Sequence, residues 1–181
     1  MASRKTKADR LKELDIALEN RAFEIQLFWQ RSNYFLVLIT ALGIGAIAVD
    51  NDLLALLITI FGTVTSFLWF RTNLGSRFWQ ESWEVEVNKL AGSLRVTSFE
   101  RPMSDIKEQV RLSLKGSKKQ SLFRRWVDQQ IVKKPSVSYH MIILSIVSTS
   151  IWLCAFLFFF IQILLDVLPA AYEIAWRLVW A

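Results

Sequence analysis

The chain has 181 residues, a hydrophobic fraction of 53%, and 22 Lys/Arg against 16 Asp/Glu. A mean hydropathy of +0.31 is high for a soluble domain and natural for a membrane protein that carries a polar part. The lone cysteine, Cys154, excludes an internal disulfide. With one histidine, His140, no metal-ligand cluster and no glycine-rich phosphate loop, no enzyme, metal site or cofactor is expected.

Residues 1–32 open on a short basic stretch, and residues 8–27 are too charged for the apolar core of a signal peptide. Insertion is therefore expected through the apolar runs that follow. Leu11, Leu14, Leu18, Ile25 and Phe28 recur at near-heptad spacing, and no Gly or Pro stands between Ala8 and Leu42. A single helix is predicted to run from this stretch into the first apolar run. Its seam has two readings, packing on the chain's own helices or a helical bundle formed with further copies.

Residues 33–70 hold two uncharged runs, Tyr34–Val49 and Leu53–Phe70, joined by Asp50-Asn51-Asp52. As helices they measure roughly 24 and 27 Å, close to the ~30 Å of a bilayer's hydrocarbon. This predicts a transmembrane hairpin. Ala41, Gly43, Gly45, Ala46 and Ala48 supply small residues for close helix approach. Thr59, Thr63 and Ser66 fall on one face of the second span. They either form hydrogen bonds between helices or line a pore built by several subunits, since three spans alone enclose no aqueous path. Ion-coupled carriage is excluded for want of charges inside the runs.

Residues 71–136 form a basic helical segment with fourteen Lys/Arg and seven acids. A break is predicted at Gly75. An amphipathic helix with Trp79, Trp83, Val87 and Leu90 on one face follows it, closed by Ala91-Gly92-Ser93. Asp105 and Glu108 read as a capping pair for the next helix, and Gly116-Ser117 as a further break. The stretch 118–134 is the most basic piece, with Leu122, Phe123, Trp126, Val127 and Ile131 as its apolar side. Three partners suit it: anionic lipid, an acidic protein, or a nucleotide or oligonucleotide held by Lys118, Lys119, Arg124 and Arg125 with Trp126 for stacking. The third span is predicted over residues 137–166, and Pro169 is expected to set off an interfacial tail, 167–181. The basic residues flank the hairpin and leave its turn and the C-terminal tail nearly bare. This puts the N-terminus and 71–136 in the cytoplasm and the C-terminus outside.

Trp29-Gln30-Arg31-Ser32-Asn33-Tyr34-Phe35 leading into a span, a second span, and Gly75-Ser76-Arg77-Phe78-Trp79-Gln80-Glu81-Ser82-Trp83-Glu84 resemble small bacterial multi-pass membrane effectors of anti-phage defence loci, such as the transmembrane component of the Hailong system. The resemblance covers roughly residues 25–92. It implies an inner-membrane channel held or released by an oligonucleotide from a partner nucleotidyltransferase. The expected fold is an all-α membrane protein with three transmembrane helices and cytoplasmic amphipathic helices, assembled as a helical-bundle homo-oligomer. Two functions fit: a ligand-gated pore that depolarises the cell, or a non-conducting anchor that recruits a soluble partner or anionic lipid through 71–136.

Overall fold

A computed structural model describes residues 6–96, 101–114, 121–133 and 136–179, and the side chains of all these except 170–175 and 177–179. Among the described residues the regular structure is entirely helical: α1 Lys7–Ala48, α2 Asp52–Leu94, α3 Met103–Leu114, α4 Leu122–Val132 and α5 Val137–Val179. Three stretches are long and apolar enough to cross a membrane: Lys7–Ala48, Asp52–Leu94 and Val137–Pro169.

Local chemistry sets the ends of the long helices. At the start of α1, Thr6 Oγ1 accepts from the Asp9 backbone N–H at 3.2 Å while Asp9 Oδ2 accepts from the Thr6 N–H at 2.9 Å. This reciprocal box satisfies two otherwise orphaned donors. Asn51 caps α2 in the same spirit, its Oδ1 accepting from the Leu54 N–H at 2.9 Å. The turn between the spans thus terminates one helix and starts the next. The far end of α2 is a Schellman closure. Val96 N–H reaches Ala91 O at 3.1 Å, Arg95 N–H reaches Gly92 O at 3.2 Å, and Arg95 sits at φ 54°. Val96 packs on the same apolar cluster as Ala91, the contact this motif commonly carries.

Three expected boundaries differ. No break occurs at Gly75, because α2 runs unbroken to Leu94 and absorbs the ordinary helical cost of one glycine. Pro169 lies inside α5 and does not end it. In α3 the helix already begins at Met103, so Asp105 stands in the first turn, and Glu108 pairs with Arg111 at 3.1 Å.

The chain divides into two compact units, residues 1–25 with 78–137 and residues 26–77 with 138–181. The first, the polar unit, has an apolar core of Leu14, Ala17, Val87, Leu90 and Ala91, flanked by Leu18, Trp83, Leu94 and Val96. An Arg21–Glu84 ion pair lies at its edge. The second, the span unit, buries small and polar residues instead. Ala55, Thr59, Gly62, Ser66, Trp69, Asn73 and Ser76 follow one another along α2 at alternating spacings of four and three. That period lets helices pack at shallow left-handed angles. Trp152 of α5 fills the groove left at Gly62, where a Cβ would stand 2.2 Å from two ring atoms. Trp69, 1% exposed, stacks on Phe35 of α1 at 6.4 Å.

Candidate functional site

Among the described residues each unit holds a polar arrangement that can do chemistry. In the span unit the seam of α2 forms a chain of hydrogen bonds. Trp69 Nε1–H donates to Ser32 Oγ at 3.4 Å, Ser32 Oγ–H donates to Asn73 Oδ1 at 3.4 Å, and Asn73 Nδ2–H donates to Met141 O at 3.2 Å. Arg31 Nη1–H donates to Ser76 Oγ at 3.1 Å, and the hydroxyls of Ser66 and Ser148 meet at 2.9 Å. Thr59 donates to Leu56 O and Thr63 to Thr59 O, both at 2.8 Å. Arg31, Ser32, Ser66, Trp69, Asn73, Ser76 and Ser148 thus link α1, α2 and α5 of one chain, and the two threonines bond back to their own helix, as hydrocarbon surroundings favour.

The expected pore stripe lies on this seam. Thr59 and Ser66 are 0% exposed and Thr63 is half-buried. Ser66 thus joins α2 to α5, while Thr59 and Thr63 bond back to carbonyls of α2 itself. The apolar seam of α1 is also partly covered by the chain's own helices. Leu14 and Leu18 pack on the Val87–Leu90–Ala91 cluster of α2, Phe28 is 1% exposed, Ile25 is half-buried and Leu11 is exposed. Most of the residues expected to join copies are thus occupied by the chain itself.

The outward surfaces of the span unit are unlike one another. On α1, Gln26, Gln30, Asn33, Val37, Thr40 and Ile44 are all exposed at spacings of four, three, four, three and four, one continuous face. Gln30 Nε2–H donates to Tyr34 Oη at 3.1 Å and Thr40 to Leu36 O at 2.8 Å. On α2 the outward residues are Leu57, Ile60, Phe61, Val64, Phe67 and Leu68. On α5 they are apolar save Ser150, Cys154 and Gln162 in the middle of the span and Tyr139, His140 and Asp166 towards its ends.

In the polar unit, α3 and α4 pair and leave a cleft of about 470 Å³ lined by Arg111, Leu114, Arg125, Asp128, Gln129, Val132 and Lys133. Three cations against one carboxylate suit an anion, with the guanidinium groups offering paired donors. Arg111 is also forked onto Glu108, with contacts of 3.1 Å to both carboxylate oxygens. Of the predicted ligand residues only Arg125 lines the cleft. Arg124 and Trp126 are exposed elsewhere on α4, and Lys118 and Lys119 lie outside the described residues. Arg111, Gln129 and Lys133 were missed. The steps of four and three from Arg125 through Gln129 to Val132 mark this inner face, with Lys133 at its edge, but only the pairing with α3 shows that it lines a cleft. A second, smaller notch of about 280 Å³ gathers Lys7, Arg10 and Arg95 with Ser93 and Leu94, joining the start of α1 to the end of α2. Among the described residues no group of His, Cys, Asp or Glu could hold a metal ion.

Set against known proteins, residues 11–161 match the octameric membrane protein family, 8xMP. No curated protein and no solved structure matches the chain.

Proposed function

The chain belongs to the octameric membrane protein family, and we propose that eight copies surround a central pore whose opening depolarises the cell. The observation that carries this reading is the outward face of α1, where Gln26, Gln30 and Asn33 lead into the first apolar run and Thr40 lies inside it, beside largely apolar outward faces on α2 and α5. Apolar faces suit lipid. A polar face along a membrane helix suits water or another protein.

Ring geometry supports the same reading. Eight helices at a spacing of about 9.5 Å have axes about 12 Å from the centre, leaving a central space roughly 14 Å across. Such a ring cannot close by side-chain packing, so the lining must tolerate water. We place α1 at that wall, in preference to the enclosed Thr59 and Ser66.

The proposed signal is an anion, a nucleotide or oligonucleotide, seated in the Arg111–Arg125–Lys133 cleft. On this reading the unit lies on the cytoplasmic side of a bacterial inner membrane, an orientation that the distribution of Lys and Arg supports. A role in anti-phage defence, with a nucleotidyltransferase partner, follows from the resemblance of residues 25–92 and completes the proposal.

Recordings from planar bilayers containing the purified oligomer test it. The expected result is ion current that depends on an added oligonucleotide and is altered by Arg125→Glu. An intact octamer that seals the bilayer with every nucleotide tried overturns the pore and favours the anchor.

A further inference from the structure

The arrangement of α4 is turned inside out for a helix in water. Arg125, Asp128, Gln129 and Val132 line the cleft against α3, while Leu122, Phe123, Trp126 and Ile131 are 82%, 73%, 57% and 46% exposed. At 100° per residue the arc from Leu122 through Trp126, Phe123 and Val127 to Ile131 covers about half of the circumference, apolar except for Gln130 within it. The Phe123 and Trp126 rings are stacked at 6.1 Å, forming one aromatic plate at the first turn. The exposed Arg124 stands at the rim of the arc.

Two observations name what covers this face. The first is tethering. Residues 133–136 alone separate α4 from α5, so the two helix ends lie within ~17 Å at full extension. The apolar run of α5 starts one helical turn further on, near Met141. Chain length therefore limits how far the C-terminal end of α4 can stand from the start of α5. The second is charge. Residues 115–134 carry seven Lys/Arg and one acid, Asp128. An amphipathic helix with an aromatic apolar face and basic rims matches an anionic lipid surface, with rings among the upper acyl chains and Arg124 reaching the phosphates.

We infer that α4 lies in the plane of an anionic bilayer surface with Phe123 and Trp126 inserted, while its opposite face remains free to bind an anion in the cleft. The inference goes beyond the pore and holds whether or not the oligomer conducts.

The test uses the full-length oligomer with Cys154→Ser and a single added cysteine, Phe123→Cys or, as a second variant, Trp126→Cys, carrying an environment-sensitive fluorophore. Protein is reconstituted into phosphatidylcholine vesicles with and without about a third of phosphatidylglycerol. Quenching by a shallow nitroxide lipid and by aqueous iodide is then compared. The expected result is strong quenching by the lipid nitroxide and at least a threefold fall in iodide quenching when phosphatidylglycerol is present. Arg124→Glu reverses both changes. Iodide quenching that is equal in both vesicles overturns the inference, because the face then remains in water. Protection from both quenchers overturns it too, because another copy or another protein then covers the face.

Discussion

Helix α2 carries one inward seam through two solvents, and the residues change where the solvent changes. In the span unit the seam reads Ala55, Thr59, Gly62, Ser66, Trp69, Asn73 and Ser76. In the polar unit it opens on the buried Gln80 and then reads Trp83, Val87, Leu90 and Leu94 at the same alternating spacing. Water rewards burial of Val87 and Leu90 directly, at roughly 25 cal/mol per Å² of apolar surface. Hydrocarbon gives no such reward, because lipid tails are as apolar as a leucine. Close backbone approach and matched hydrogen bonds take over there, and these need small and polar residues. A polar seam residue in a span is therefore, first of all, an adhesive, and it becomes a pore residue only where it faces away from its own chain.

The largest break in this comparison is expected at Gly62. Gly62→Leu drives a side chain into the Trp152 ring, where even a Cβ stands at 2.2 Å. Overpacking of this severity costs more than about 3 kcal/mol. The expected outcome is loss of the monodisperse oligomer in detergent, partly restored by adding Trp152→Ala.

In the polar unit the matching disruption is a cavity. Leu90 is 8% exposed in the core cluster, and Leu90→Ala is expected to cost about 3 kcal/mol. Thermal unfolding followed by intrinsic fluorescence should show a fall of several degrees. A smaller loss separates the two chemistries: Asn73→Leu removes the bonds to Ser32 and Met141 O yet gains apolar volume, so a cost of about 1 kcal/mol is expected. If Asn73→Leu costs as much as Leu90→Ala, the contrast between the halves of the seam is wrong. The smallest effect is a gain. Arg95 holds a left-handed backbone at φ 54°, and Arg95→Gly should stabilise the end of α2 by about 0.5–1 kcal/mol, read as a rise in the same melting temperature.

Much of this architecture is legible in the amino-acid sequence. The uncharged runs, the Asp50-Asn51-Asp52 turn and the unbroken stretch from Ala8 to Leu42 all declare helices, because each depends on neighbours in the chain. Direction was less readable. Periodicity shows that Thr59 and Ser66 share a face, yet it is silent on whether α5 covers that face, and the Ser66–Ser148 contact joins residues 82 positions apart. The fit of Trp152 to Gly62 is hidden for the same reason. Gly75 and Pro169 misled because both residues more often end helices than sit within them. At the cleft, charge alone pointed to the right stretch of α4. It favoured Arg124 and Trp126, which face outward, over Arg111 and Lys133, which enclose the space.

The most direct measurement of the central claim is current through the reconstituted oligomer while a cysteine introduced by Thr40→Cys, in a Cys154→Ser background, meets a charged, water-soluble thiol reagent. Thr40 is the outward polar residue furthest into the first apolar run. The account predicts an irreversible change in conductance at Thr40→Cys and none at Phe61→Cys on the apolar face of α2. Modification that acts through Phe61→Cys while Thr40→Cys conducts unchanged would contradict it.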